Sequence, residues 1–235
     1  MQHGKPLLEP AYILRHQDYG DTSSLLELLT ATHGRFSAIA KGARGKRSPW
    51  RGLMLPALPL LVSCVGRGEL LTVTQVEPNG SSLILRGEAL FSLFYVNELV
   101  MYLLHRFDPH PRLYEHYAKT LAELGNASAI EIPLRLFEWV LLQELGYGLG
   151  LDDTRQAIDP DARYYIDTEM QVQALEFARY DVQESYSGKT LLGLAHQNLP
   201  SDVLVLREAK QLTRTLLAPL LGNRKIMSRT LYKQV

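Results

Sequence analysis

The sequence predicts an α+β multidomain chain in which a small closed β-barrel of five strands is followed by an α-helical domain. Three observations carry this expectation. Apolar residues recur with a period of about two as far as Pro78 and of about 3.6 beyond it. A turn-rich stretch, EPNGSS at 77–82, marks the change. The 235 residues are enough for two cores of ordinary size.

The strands are AYILRH at 11–16, SLLELLTAT at 24–32, RFSAIAKG at 35–42, LPLLVSCVG at 58–66 and ELLTVTQVE at 69–77. Gly20-Asp21, His33-Gly34 and Gly66-Arg67-Gly68 separate them as turns, the last two short enough to close hairpins. Five short strands in about 70 residues fit the OB-fold, a partly open Greek-key barrel. The barrel is assigned to 1–80 and the helical domain to 81–235. Helices are predicted at 88–106, 111–124, 131–146, 171–180 and 202–221, the first apolar nearly all round and therefore central. Gly125-Asn126, Gly146 to Gly150 and Gly222-Asn223 supply the stops. Residues 147–170 show no period and are expected to form an irregular lobe.

Composition excludes several classes of function. The single cysteine, Cys64, rules out an intrachain disulfide and a thiolate-rich zinc site, and its apolar neighbours predict an inert thiol. The longest apolar run, 89–104, contains Asn97 and Glu98 and falls short of the roughly 20 residues of a membrane span. The N-terminus has no signal-peptide pattern. A cytoplasmic protein is expected. Gly42 and Gly45 enclose two residues where a P-loop needs four, and Arg47 stands where its hydroxyl would be. The seven histidines show no metal-ligating spacing, and no nucleophile elbow occurs. No catalytic residue, cofactor or metal is expected.

The net charge of zero hides two basic segments. Leu28 to Gly68 carries seven cations and no acid, and Ala209 to Val235 carries six cations and no acid. The first is densest in KGARGKRSPWRG at 41–52, where Lys41, Arg44, Lys46, Arg47 and Arg51 stand among three glycines. Such a run is commonly just a solvated loop. Here it follows the third strand of a predicted OB-fold, its glycines permit close backbone approach to phosphates, and Trp50 offers a face for base stacking. Those features favour nucleic acid. Phe36 is a second aromatic candidate, although its alternating position suits the core.

The segments GDTSSLLELLTATHGRFSAIAKGARGKRS, GRGELLTVTQVE, LFYVNELVMYLL, RLFEWVLLQELGYGL and RTLLAPLLGNRKIMSRTLY together resemble the bacterial RecO recombination-mediator family nearly end to end. The order of AKGARGKRS, LGYG and the C-terminal SR-x-L at Ser228 to Leu231 carries the likeness. The resemblance implies an N-terminal OB-fold and a helical C-terminal domain. It further implies binding of single- and double-stranded DNA, annealing of complementary strands, and partnership with RecR and with the C-terminal tail of single-stranded DNA-binding protein. The resemblance also implies that RecA would be loaded on coated gaps, in a nucleoid-associated setting and without enzymatic turnover. Many relatives hold a zinc with four cysteines after LGYG; this chain has none there.

DNA contacts are therefore expected from Arg35, Lys41, Arg44, Lys46, Arg47, Trp50 and Arg51, extended by Lys210, Arg214, Arg224, Lys225 and Arg229. Cations at helix ends also complement the helix dipole, which is the plainer role for the second set. The family likeness assigns Arg135 to the carboxylate of the partner's acidic tail; an i, i+4 pair with Glu131 explains it equally well. The competing reading is an OB-fold adaptor or regulator binding RNA or an acidic protein partner.

Overall fold

The computed structural model describes residues 8–126, 130–151, 158–178 and 184–231. The chain forms two compact units, Met1–Asn126 with Lys225–Val235, and Ala127–Arg224.

All five expected strands form in the first unit: β1 (Glu9–Tyr19), β2 (Ser23–Thr30), β3 (Gly34–Ala40), β4 (Leu60–Val65) and β5 (Leu70–Pro78). They close into a barrel in the order β1-β2-β3-β5-β4, with β3 and β5 parallel and the other pairs antiparallel. Closure requires β1 to serve two partners, pairing with β2 along its length and with β4 through Glu9 to Ala11. The strand achieves this through a bulge: Ile13 faces Leu28, Arg15 faces Glu27, and Leu14 is the extra residue between them. Ala11, Ile13, Leu26, Leu28, Phe36, Ala38, Leu60, Val62, Val73 and Val76 fill the interior. Cys64 packs against this core; burial, with a smaller contribution from the Glu9 carboxylate, pushes its thiol up to about 12, so it stays protonated and unreactive at neutral pH.

A bulge leaves backbone groups outside the ladder, and a buried one must find another partner. Asn97, in α1 (Glu88–Leu103), supplies it: its Nδ2 donates to the Leu14 carbonyl at 2.9 Å. Its Oδ1 accepts from the hydroxyl of Tyr117 at 2.8 Å, in α2 (Pro111–Asn126). Both side chains are buried, and Tyr12 packs its ring edge-on to Tyr117 at 5.1 Å. The expected polar interruption of the apolar run at 89–104 is thus the pin that fixes α1 and α2 to the barrel. At the β2–β3 turn Gly34 has φ +66, and a Cβ there would lie 2.1 Å from the Asp108 carbonyl oxygen, so only glycine fits. That approach lets Phe107 stack on Phe36 at 5.7 Å. The short α6 (Ser228–Leu231) belongs to the same unit; Glu98 accepts the backbone N–H groups of Met227 and Ser228 at 3.0 and 2.8 Å.

In the second unit α3 (Glu131–Glu144) is buried from Pro133 to Leu142 and packs on α5 (Val203–Leu221), which Asp202 caps through the N–H groups of Leu204 and Val205. Two expectations are corrected here. The helix at 171–180 does not form within its described part: Val172–Ala174 make strand β7 and Leu175–Phe177 one 3₁₀ turn, while 179 and 180 lie outside the described residues. Val172 and Ala174 alternate with Gln171 and Gln173, and so short a window fits either period. The lobe at 147–170 is not irregular throughout either. It contributes β6 (Arg163–Ile166), which lies between β7 and β8 (Tyr186–Ser187) in a three-stranded sheet. An unexpected helix, α4 (Gly188–Ala195), follows, too short and glycine-rich to show a period.

A carboxylate network ties these small elements to α5. Glu208 accepts from the Ser187 N–H at 2.8 Å, the Ser187 hydroxyl at 2.7 Å and the Thr190 hydroxyl at 2.7 Å, and pairs with Arg163 at 2.6 Å. Burial alone would raise the Glu208 pKa; the hydrogen bonds from Ser187, Thr190 and Arg163 outweigh it and hold the carboxyl below its usual 4.5.

Two outcomes are expected. Asn97→Ala removes the donor to the Leu14 carbonyl and the acceptor of the Tyr117 hydroxyl in the interior, and the lost pairing of the Leu14 carbonyl alone costs about 1–3 kcal/mol; urea unfolding should show a lowered midpoint with an unchanged slope. For Glu208, a depressed folded pKa means stability that is fully present above the ordinary value of 4.5 and lost as pH falls through the lower folded value. Thermal melts should therefore show Glu208→Gln less stable than wild type at pH 7, with the gap closing in acid.

Candidate nucleic-acid interface

The loop between β3 and β4 is built from successive tight turns. Gly45 N–H donates to the Gly42 carbonyl at 3.0 Å, Ser48 N–H to Gly45 at 3.0 Å, Arg51 N–H to Ser48 at 3.3 Å and Leu53 N–H to Trp50 at 2.9 Å. Ala43, Met54 and Leu58 drop from it into the barrel core. The cations between these anchors are therefore carried on ordered backbone.

They divide into two kinds. Arg44 is consumed by the fold: its Nη1 meets Asp18 at 2.6 Å, its Nη2 donates to the Gly20 carbonyl, and its Nε donates to the Ser23 carbonyl at 3.0 Å. It staples the loop to the β1–β2 turn. Lys41, Lys46, Arg47 and Arg51 are exposed, and among the described residues none of them pairs with a carboxylate. Four like charges held together repel one another, and an incoming polyanion relieves that repulsion.

Arg35 lies apart from this group. It extends from β3 toward Glu27 of β2, its diagonal cross-strand neighbour, at 3.0 Å, and donates to the Leu104 carbonyl at 3.0 Å. Glu27 also binds Arg106 at 2.8 Å. The Arg35 side chain is only 13% exposed, so its charge is spent inside the fold. Phe36, 1% exposed, is a core residue. Trp50 is half-buried against the barrel core, and it also lines a cavity of about 270 Å³ with His16, Arg44, Arg51, Met54 and Leu55. A second cavity of about 900 Å³ shares His16, Met54 and Leu55 and continues past Arg15 and Tyr102. Arg15 and His16 carried no signal in the sequence, because their outward turn follows from the β1 bulge.

The C-terminal cations are divided between the two units. Lys210 is bound to Glu131 at 2.5 Å, while Arg214 and Arg224 are exposed in the second unit. Lys225 is exposed in the first unit, and Arg229 lies over the Tyr95 ring at 5.3 Å.

Arg135 is 3% exposed, not on the helix surface. Its Nη1 stands 3.0 Å from the fully buried Glu138 and its Nε 3.5 Å from Glu131, neither with hydrogen-bond alignment among the described residues. Thr213 donates its hydroxyl to Glu138. Burial would raise the Glu131 pKa, but the Lys210 hydrogen bond and the charges of Arg135 and Lys210 hold it low. Among the described residues no three His, Cys, Asp or Glu side chains group to hold a metal.

A closed five-stranded barrel with an ordered basic loop, joined to a helical region, defines an OB-fold protein whose barrel presents positive charge to its surroundings. The chain belongs to the RecO family of DNA repair proteins. The family model for the recombination protein O N-terminal region matches residues 5–81, and that for its C-terminal region matches 85–230. DNA repair protein RecO of Coxiella burnetii is 42% identical over 228 residues, spanning 95% of this chain and 97% of that protein. The protein of the same name from Dechloromonas aromatica is 39% identical over 232 residues, 97% of this chain and 95% of that one. The Haemophilus influenzae protein, at 37%, covers 97% and 96%.

Replacing Lys46, Arg47 and Arg51 together with Ala should weaken binding to a single-stranded oligonucleotide. Each lost phosphate contact lowers the slope of log affinity against log salt by about 0.7. Arg44→Ala should instead lower the melting temperature, since it removes the staple to Asp18 and Gly20. Filter binding across a salt series, alongside thermal melts, distinguishes the two.

Proposed function

We propose that this protein is a recombination mediator that binds single- and double-stranded DNA, anneals complementary strands and helps to load RecA onto gaps coated by single-stranded DNA-binding protein. The observation that carries this reading is the set of four exposed cations, Lys41, Lys46, Arg47 and Arg51, none paired with a carboxylate among the described residues, on an ordered loop of an OB barrel. Contacts of that kind act on the phosphate backbone and are nearly blind to sequence, which suits a protein that must act at any gap. Trp50 adds a stacking surface, and Lys225 in the same unit and Arg214 and Arg224 in the second unit are further exposed cations that contact DNA in this reading; Arg35, Arg44, Lys210 and Arg229 support the fold that carries them. The protein acts by binding and positioning, without turning over a substrate. It works in the cytoplasm at the nucleoid; no described helix is long and apolar enough to cross a membrane.

RecR and the C-terminal tail of single-stranded DNA-binding protein are the partners this reading requires. Arg135 enters as the tail's anchor: its Nε and Nη1 have no aligned acceptor among the described residues, which leaves donors for a carboxylate. A charge-assisted contact there contributes about 1.5–3 kcal/mol, or roughly ten- to a hundredfold in affinity.

Annealing of complementary strands already coated by the single-stranded DNA-binding protein is the test. The wild type should accelerate it; failure on both coated and bare strands overturns the reading in favour of an adaptor of another kind. Arg135→Lys, which keeps the buried charge facing Glu138 but loses the guanidinium fork, should weaken tail-peptide binding about tenfold and leave annealing of bare strands intact. Equal peptide affinity in wild type and variant, with matching thermal melts, would remove Arg135 from the tail site.

A further inference from the structure

We propose that the cavity of about 270 Å³ beside the basic loop is a nucleobase pocket, holding one base of a bound single strand between Trp50 and His16. The proposal rests on the DNA-binding reading and adds to it a discrete base site whose polar reader, His16, lies far from the basic run in sequence.

The size is the first argument. Cavities that enclose a whole small molecule run to about 300–1,000 Å³, so this one suits a single planar ring system better than a nucleotide. The lining is the second. Trp50 has part of its indole packed on the barrel core and part lining the cavity, an aromatic wall that packing holds in place. Met54 and Leu55 supply apolar contact. Opposite chemistry comes from His16, whose Nε2 is 2.9 Å from the hydroxyl of Ser24. Ser24 is fully buried, so this hydrogen bond fixes the imidazole. With Nε2 engaged, Nδ1 remains as one donor or one acceptor, according to the tautomer. One such contact orients a base edge without selecting strongly among bases, in keeping with sequence-tolerant binding. The charges are the third argument. Arg44 is neutralised by Asp18, whereas Arg51, exposed and without a carboxylate partner among the described residues, is the lining residue available to the phosphate attached to the bound base. The larger cavity that shares His16, Met54 and Leu55 gives the strand a way on past Arg15.

The experiment compares, on the full chain, an oligothymidylate of about 15 nucleotides with an abasic oligonucleotide of equal length and charge. Of the two tryptophans, Trp139 is fully buried in the other unit, so quenching of emission reports on Trp50. The wild type should bind the base-bearing strand roughly fivefold or more tightly than the abasic one and be quenched by it alone. His16 is exposed, so His16→Ala should keep the fold and the salt slope while cutting that preference about threefold. Equal affinity for both strands, with a steep salt dependence, overturns the pocket and leaves DNA binding standing. A preference and quench unchanged in His16→Ala also overturn it. No binding of either strand overturns both readings at once.

Discussion

The carbonyl of Leu14 is the point on which the barrel unit depends. A five-stranded barrel closes only if one strand bends enough to serve partners on both sides, and β1 bends by inserting Leu14 between Ile13 and Arg15. The insertion frees a carbonyl in a dry interior. Asn97 answers it, and Tyr117 holds Asn97 in the rotamer that can. Two helices are thereby committed to the barrel by a polar contact that apolar packing could not direct. The same bulge ends the buried run of β1 at Leu14, so that Arg15 and His16 emerge on the outer face where both cavities open.

The arginines show how one residue type is given opposite tasks. Arg35 and Arg44 each reach a carboxylate and a backbone carbonyl, and there they organise turns and strand ends. Arg47 and Arg51 reach none among the described residues, and their charge stays available to the solvent side. Exposed unpaired cations add little to stability, whereas a guanidinium with several aligned acceptors locks local geometry. The first set supports the second, because the turn series from Gly42 to Leu53 is held at one end by Arg44 and at the other by Met54 and Leu58 in the core.

In the second unit, Glu208 gathers β6, β8, α4 and α5 around a single carboxylate, which explains how elements of two to eight residues hold a defined arrangement. A small lobe needs some cross-link beyond its apolar contacts, since its core is slight. Tyr164, Tyr165 and Tyr186 contribute buried rings, and the charged network sets their register.

Alternation and turn chemistry made the barrel legible in the sequence: five strands with one buried face leave a period of two that survives any uncertainty at their ends. The longer helices were legible for the same reason, and the acid-free run from Leu28 to Gly68 pointed to the basic loop. The short lobe was not legible, because three alternating residues at Val172 to Ala174 fit a helix as well as a strand until β6 lies beside them. Nor could composition sort the cations. Glu27 is next to the acid-free run in sequence and diagonal to Arg35 across two strands, and Asp18 comes to Arg44 over 26 positions; strand register alone brings those charges together. Which residues are basic is a property of the chain, but which remain free is decided by the distance to the nearest carboxylate, and that distance exists only once the barrel has closed.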